Sequence, residues 1–240
     1  EEVGYAQDLG MKVVVTDHHN ITDKMADCLL INPKRPGNSY PFCGLSGCGV
    51  AFKTAQMIQQ KAGLPKWVLT EVLDLVAIGT IGDIMPLVDE NRTMVKFGLK
   101  MINTGKRPGL RKLIEGAGLR VGTITSENVG YVIVPHLNAS GRIEDASRAV
   151  RLLTAEEGDE DIDTIVEDLL YKNRERKRLQ AEAYKSCTAD LDPSDLKDFL
   201  LIESKDTHEG IAGIACGRIK DTYYRPAAIL TPTGSGGELL

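Results

Sequence analysis

The chain predicts an α/β fold built on parallel strands, and three stretches predict it. Val13-Val14-Val15 is a run of β-branched residues that reads as a strand buried on both faces, the kind found in a parallel sheet. Cys28-Leu29-Leu30-Ile31, closed by Asn32-Pro33, is a second short apolar run of the same type. Farther along, residues 199–202 and 225–230 read as strands on either side of a small-residue helix, 210–219. That strand-helix-strand unit is the beginning of a second α/β domain.

The remaining elements follow from caps and periodicity. Residues 2–9 read as a helix with Gly10 as its stop. Gly47-Cys48-Gly49 opens a helix that runs to about Lys61 and ends at Gly63, and the entry glycines imply close packing on a neighbour. No Gly-Lys-Ser/Thr follows them, so a phosphate-cradling loop is a poor fit. Residues 66–78 are apolar at helical spacing, a helix begins at Asp89-Glu90-Asn91-Arg92 and is ended by Gly105, and 108–115 is a short helix. Residues 126–133 look helical and lead into a loop, Pro135-His136-Leu137-Asn138-Ala139-Ser140-Gly141-Arg142. From about Asp159 to Ala189 one long helix is expected, with acid in its first turns, a basic stretch from Lys172 to Arg178, and Asp192-Pro193-Ser194 as its stop. A long helix whose apolar stripe weakens along its length often bridges two domains.

With 42% apolar residues the chain can build a real core, and its net charge of −5 argues against a uniform basic coat while leaving room for a local basic groove. The five cysteines form no zinc-knuckle spacing, so free thiols in a reducing cytosol are expected. No run reaches membrane-spanning length. The chain opens on Glu1 rather than Met and ends just after a strand, so it is expected to be a piece of a longer protein.

Three polar clusters stand out against this frame. Asp17-His18-His19 ends the first strand, where ligands sit in open α/β sheets, and such residues serve as ligands for a divalent metal or as proton carriers. An ordinary helix-capping Asp beside two surface His residues explains the tripeptide equally. Asp83 lies in the apolar, glycine-flanked run Gly79-Thr80-Ile81-Gly82-Asp83-Ile84-Met85-Pro86-Leu87, and a carboxylate in such company pairs, caps a helix or binds a metal. Asn138, Ser140 and Arg142 bring an amide, a hydroxyl and a guanidinium within five residues, which suits an oxyanion such as phosphate, or a helix N-cap with a surface Arg. Neighbouring side chains on a strand point to opposite faces, so His18 and His19 are not expected to face one ion, and no His-x-x-x-His helix supports a zinc hydrolase.

Taken in order, these motifs resemble the DHH phosphoesterase family, and within it the single-strand-specific 5′→3′ DNA exonuclease branch. Asn32-Pro33, residues 45–53, Glu90-Asn91-Arg92, Asn173-Arg174-Glu175-Arg176 and residues 208–215 resemble that branch as well, so the likeness covers essentially the whole chain. The resemblance implies a parallel-sheet DHH domain over 1–155, a bridging helix over 156–192, and the start of a DHHA1-type substrate-binding domain over 193–240. It implies a two-metal phosphodiesterase of DNA repair and recombination using Mn²⁺ or Mg²⁺, with two ions about 3.5–4 Å apart. His18 and Asp83 inherit metal-ligand roles; His19 matches the His beside the scissile phosphate, and Asp17 orients the imidazoles. Asn138, Ser140 and Arg142 look like the substrate-phosphate segment, and Arg218 like part of the second domain's binding surface. Single-stranded DNA is the implied partner, guided by the basic helix, with a single-strand-binding protein or a helicase as a further one and a cytoplasmic location.

The sequence also departs from the family. Its Asp-x-Asp on an earlier strand, a further metal-ligating Asp expected before Glu1, and a glycine-serine-arginine motif expected after Leu240 do not occur in it. The expectation is therefore that the isolated polypeptide binds manganese poorly and cleaves weakly. Two alternatives remain: a nanoRNase or cyclic-dinucleotide phosphodiesterase of the same family, and a non-catalytic nucleic-acid-binding protein.

Overall fold

The structure of the protein, a computed structural model, describes residues 1–22, 25–143 and 146–232, apart from the side chains of residues 142 and 143. By its contacts the chain divides into two units, Glu1–Val134 and Pro135–Leu240.

In the first unit, helix α1 (Glu2–Asp8) precedes strands β1 (Val14–Thr16) and β2 (Leu29–Ile31), which pair in parallel with Val14 opposite Leu29 and Thr16 opposite Ile31. The expectation of a strand buried on both faces is corrected here. Among the described residues this sheet has two strands, and Val14 and Leu29 on one of its faces are 54% and 62% exposed.

Helix α2 (Gly47–Ala62) starts where Ser46 Oγ accepts the Gly49 N–H at 3.2 Å and stops where Gly63 takes φ +66°, a left-handed value that glycine adopts without strain. The apolar run 66–78 forms two helices rather than one, α3 (Trp67–Thr70) and α4 (Leu73–Gly82). Helices α5 (Asp89–Thr104) and α6 (Pro108–Gly116) follow, with Gly105 in the left-handed region and Pro108 in the first turn, where its missing N–H has no consequence. Leu45 just before α2, Val50 and Phe52 of α2, Val76 of α4 and Met94 of α5 form a buried cluster, with Ile31 of β2 packed against it. Each such side chain contributes about 1.5–3 kcal/mol through burial. The packing is close enough that a Cβ on Gly79 would meet Cys48 Sγ at 2.4 Å, and one on Gly98 would meet the Leu73 carbonyl oxygen at 2.2 Å. Arg107 holds buried Asp74 through two hydrogen bonds, Nε to Oδ2 at 2.6 Å and a second nitrogen to Oδ1 at 3.0 Å.

The segment expected as a helix followed by a loop is instead helical throughout. Helix α7 (Ser126–Asn128) passes into a π-helical turn, Val129–Ile133, and then into α8 (Val134–Ile143). Proline lacks an N–H and clashes with the carbonyl four residues earlier in a regular helix. The widened turn just before Pro135 gives that carbonyl room, and the helix resumes beyond it.

The second unit adds α9 (Ser147–Thr154), which the sequence reading missed, and the long α10 (Ile162–Thr188). Strands β3 (Leu200–Glu203) and β4 (Ala227–Leu230) pair in parallel around α11 (Glu209–Tyr223), as the strand-helix-strand reading expects. Ile211, Ala212, Ala215 and Ile219 of α11 pack with Ala183 and Cys187 of α10 and with Leu200 and Ile229 of the strands. The close packing rests on these alanines, because Gly213 and Gly217 face open space.

Candidate metal centre

Asp17 lies immediately past the end of β1, where its N–H still donates to the Ile31 carbonyl of β2 at 3.0 Å. From there the chain turns. One carboxylate oxygen of Asp17, Oδ1, receives the His18 N–H at 2.7 Å and the His19 N–H at 3.2 Å, and it also meets His19 Nδ1 at 2.7 Å. A hydrogen bond to an ionised carboxylate requires the proton on Nδ1, which leaves Nε2 of a 77%-exposed ring as a free acceptor. Burial pushes the Asp17 carboxyl up, but the bonds from the His19 ring and from the His19 and His18 N–H groups outweigh it and hold it below the ordinary carboxylate range.

Because these residues have left the strand, the alternation argument does not apply to them. One ligand atom from each of Asp17, His18 and His19 lies within 4.8 Å of the others, and the two rings stand 4.3 Å apart. The expectation that the two imidazoles diverge is therefore corrected. The turn after the strand replaces the strand's alternation of faces.

Asp83 reaches the same place from α4. It is the C-cap residue of that helix, and the chain leaves through Ile84 at φ +53° with the Met85 N–H returned to the Thr80 carbonyl. His18 Nδ1 lies 3.4 Å from Asp83 Oδ2, longer than a good N–H···O bond. Donors about 2.1 Å from one hard ion stand about 3 Å apart, so the pair is spaced for a shared cation. Mixed imidazole and carboxylate donors suit manganese, and the residues present fit such an ion.

Three supports escaped the sequence reading. Asn32, which is buried, donates from Nδ2 to the His19 carbonyl at 3.0 Å and accepts the Lys34 N–H at 2.8 Å, pinning the turn to the end of β2. Gly47 opens α2 beside the His18 ring, where a Cβ would lie 3.3 Å from Cδ2. Ser46 Oγ, besides capping α2, lies 3.1 Å from Thr80 Oγ1 and so joins the start of α2 to the helix that carries Asp83. Asn-Pro at a strand end and Gly after a capping Ser were the available signals, but their partners are distant in sequence.

The other predicted residues belong to the second unit. On α8, Asn138 is exposed, whereas Ser140 is fully buried and its Oγ has no hydrogen-bond partner among the described residues. Arg142 lies in the same helix, and its side chain falls outside the described residues. His136, also on α8 and buried, meets Asn173 of α10, whose Nδ2 is 2.9 Å from His136 Nε2. Asn173 Oδ1 accepts Nε and a terminal nitrogen of Arg176 at 3.1 and 3.0 Å. A guanidinium only donates, so Asn173 presents its oxygen to Arg176 and its NH₂ to His136, and His136 Nε2 must be the bare acceptor. Arg218 on α11 is exposed and stacks over the Tyr184 ring, 4.2 Å from its centroid.

The basic stretch of α10 is largely spent within its own unit. Lys172 pairs with Asp168 at 3.1 Å, Arg176 is on Asn173, and Arg178 bridges Glu175 at 3.0 Å and Glu182 at 2.6 Å. Arg174 and Lys177 have no ion pair among the described residues.

A model of the DHH family, N-terminal domain, matches residues 1–80. The single-stranded-DNA-specific exonuclease RecJ of Bacillus subtilis is 36% identical over 231 residues, covering 95% of this chain and 28% of that protein. The crystal structure of an exonuclease RecJ bound to manganese superposes with a TM-score of 0.82 at 30% identity, over 96% of this chain and 57% of the other. RecJ from Thermus thermophilus in complex with Mn²⁺ gives 0.83 at 29% identity, over 95% and 34%. The chain spans less than half the length of the curated relatives it matches. A site-bearing turn inside the matched segment, and a likeness to RecJ across nearly every residue, agree with each other: residues 1–80 carry the N-terminal domain of the DHH family, and the chain is a homologue of part of the RecJ exonucleases.

Proposed function

We propose that this chain is the nucleolytic core of a single-stranded-DNA-specific 5′→3′ exonuclease of DNA repair and recombination that uses Mn²⁺ or Mg²⁺. The observation that carries the reading is the convergence of Asp17, His18 and His19 at the end of β1 with Asp83 at the end of α4. The activity named for its relatives, and the manganese bound by its structural neighbours, support the same reading.

In this reading His18 Nδ1 and the Asp83 carboxylate hold the cation. When bound, such ions lower the pKa of water and neutralise charge on the phosphate. Asp17 fixes the His19 ring through Nδ1–H, and the exposed Nε2, once it has taken up a proton to make the imidazolium, contacts the scissile phosphate or gives that proton to the leaving oxygen. Asn138, Arg142 and Arg218 serve backbone phosphates, while Ser140, whose hydroxyl is buried, backs the helix that carries two of them. Residues 1–155 form the phosphoesterase domain, 156–192 the bridging helix and 193–240 the start of the substrate-binding domain. The location is cytoplasmic, and a single-strand-binding protein or a helicase is the expected partner. Among the described residues, no helix is long and apolar enough to cross a membrane.

The test compares the whole protein on 5′-labelled single-stranded DNA, duplex DNA, short oligoribonucleotides and cyclic dinucleotides, each with Mn²⁺ and with chelator. Metal-dependent release of nucleotides from single-stranded DNA alone is the expected result. Preferential cleavage of oligoribonucleotides or cyclic dinucleotides would move the protein to another branch of the family, and DNA binding without cleavage would make it a binding protein. The 240-residue polypeptide alone is expected to cleave weakly, because two carboxylates and two imidazoles are few ligands for two hard ions.

A further inference from the structure

The carboxylate of Asp83 is placed by its backbone. Among the described residues it has no hydrogen bond of its own, only the 3.4 Å approach of His18 Nδ1. On the near side α4 ties the chain down: the Asp83 N–H donates to the Gly79 carbonyl at 3.0 Å, and the Ile84 and Met85 N–H groups donate to Ile81 and Thr80, each at 3.1 Å. On the far side the chain passes through an unfavourable turn. Ile84 at φ +53° and Asp89 at φ +45° both lie in the left-handed region, where a β-branched residue such as Ile84 is strained. Such a turn keeps its shape only when its surroundings hold it.

The hold comes from Glu90-Asn91-Arg92 at the start of α5. Asn91 is fully buried, and its Nδ2 donates to two carbonyls, Gly44 at 2.7 Å and Pro86 at 3.0 Å. Its Oδ1 has no hydrogen-bond partner among the described residues. The reverse amide orientation would set an oxygen against two carbonyl oxygens, so the two N–H donors are what this side chain supplies. The two carbonyls belong to the segments that carry the two halves of the centre. Pro86 closely follows Asp83, and Gly44 leads into Ser46, which caps α2, and Gly47, which faces the His18 ring. Glu90 braces the same helix start, accepting the Tyr40 hydroxyl at 2.5 Å and pairing with Lys53 of α2 at 3.2 Å.

We propose that Asn91 is a positioning residue of the metal centre: one buried amide clasps the Pro86 and Gly44 carbonyls and so holds Asp83 at a cation-sharing distance from His18. The inference rests on the reading of His18 and Asp83 as metal ligands. A merely structural tie would act on stability alone, and the same helix supplies one for comparison. Asn103 donates from Nδ2 to the Leu99 and Ile124 carbonyls at 2.8 and 2.9 Å and accepts the Ile124 N–H at 2.7 Å. It stands about 18 Å farther along the axis of α5, at 1.5 Å per residue.

Manganese binding to the whole protein, read from the electron paramagnetic resonance signal of free Mn²⁺, tests it, with thermal unfolding of each variant measured without metal. Asn91→Leu keeps the branched shape and removes both donors. It should weaken Mn²⁺ binding about tenfold or more, the scale on which the supports of metal ligands act. Asn91→Ser, too short to span both carbonyls, should weaken it as well and serves if the leucine variant does not fold. Asn103→Leu should lower the melting temperature and leave Mn²⁺ affinity unchanged. Adding Ile84→Gly to either Asn91 variant removes the left-handed strain and should recover part of the affinity. Unchanged affinity in the Asn91 variants overturns the proposal, as does an equal loss in Asn103→Leu or no recovery with Ile84→Gly. His18→Ala separates the two readings. If it leaves Mn²⁺ binding intact, the ligand reading fails and the clasp with it; a loss in His18→Ala that the Asn91 variants do not share overturns the clasp alone.

Discussion

Two imidazole-bearing regions use the same side-chain chemistry for opposite ends. At the β1 terminus His19 is 77% exposed, fixed through Nδ1 by Asp17, and its Nε2 is left open. On α8, His136 is 9% exposed, and its Nε2 is already occupied by Asn173, which is itself held by Arg176. One histidine is oriented and then presented. The other is oriented and enclosed. The difference teaches that a polar residue's role here follows from whether its last hydrogen-bonding site is filled by the protein, and residue type alone says little about it.

The comparison breaks first if the exposed cluster is dispensable. Replacing His18 or Asp83 by Ala in the whole protein is expected to cut Mn²⁺-dependent hydrolysis of single-stranded DNA by roughly a hundredfold or more, at least the scale of disturbing a metal ligand's supports. The melting temperature without metal should hardly move for Asp83→Ala, whose side chain is 44% exposed, and should fall further for His18→Ala, whose ring is only 16% exposed. Wild-type hydrolysis rates in either variant would remove the cluster from the chemistry.

At the enclosed histidine the expectation reverses. Asn173→Ala removes the hydrogen-bond partner of the buried His136 Nε2 and the acceptor shared by two Arg176 nitrogens, and should destabilise the protein by about 1–3 kcal/mol in urea unfolding. His19→Ala, by contrast, should lie within about 0.5 kcal/mol of wild type in the same measurement while abolishing activity. Equal stability losses in the two variants would erase the distinction.

How much of this was legible depends on the range of the interaction concerned. Helix ends at Gly63 and Gly105 were readable because a left-handed cap is a local event with a glycine signature. Asp17–His19 and Asp83 were readable because they are polar ends of apolar runs. Residues 135–142 were misread as a loop, since Pro, Asn, Ser and Gly are all breakers by composition; the π-helical turn that accommodates Pro135 has no comparable signature. Asn32, Gly47 and the Ser46–Thr80 contact stayed hidden because their partners come from other elements. The spent charge of α10 was in plain view: Glu175 and Glu182 flank Arg178 at three and four residues, the spacing that pairs charges on a helix face.

Gly47 sharpens the comparison at finer scale, since it asks how closely the open site is held. An added Cβ would lie 3.3 Å from His18 Cδ2, tight enough to displace the ring by a few tenths of an ångström without unseating α2. Gly47→Ala should therefore lower hydrolysis about tenfold, the scale of a small misplacement at a reacting centre, with little change in stability. Raising the Mn²⁺ concentration should recover part of the loss if His18 is a ligand. Full activity at all metal concentrations would show that the ring tolerates the shift.

The smallest expected effect is the acid response of the turn itself. The Asp17 carboxyl is held below its ordinary range by the His19 ring and the two N–H groups, despite the opposing effect of burial. A depressed carboxyl stabilises the fold at pH values above its unfolded pKa, near 3.9, and that contribution is lost as pH falls through the lower folded value. The turn should therefore keep its geometry through mildly acidic solution and loosen only below about pH 4. In NMR titration the His18 and His19 amide resonances should move together at that point, separately from any change in the imidazole signals. Asp17→Asn should abolish the low-pH step while retaining an acceptor for both N–H groups. If the amides instead shift together with the imidazole signals, the His19 ring rather than the Asp17 carboxylate governs the turn.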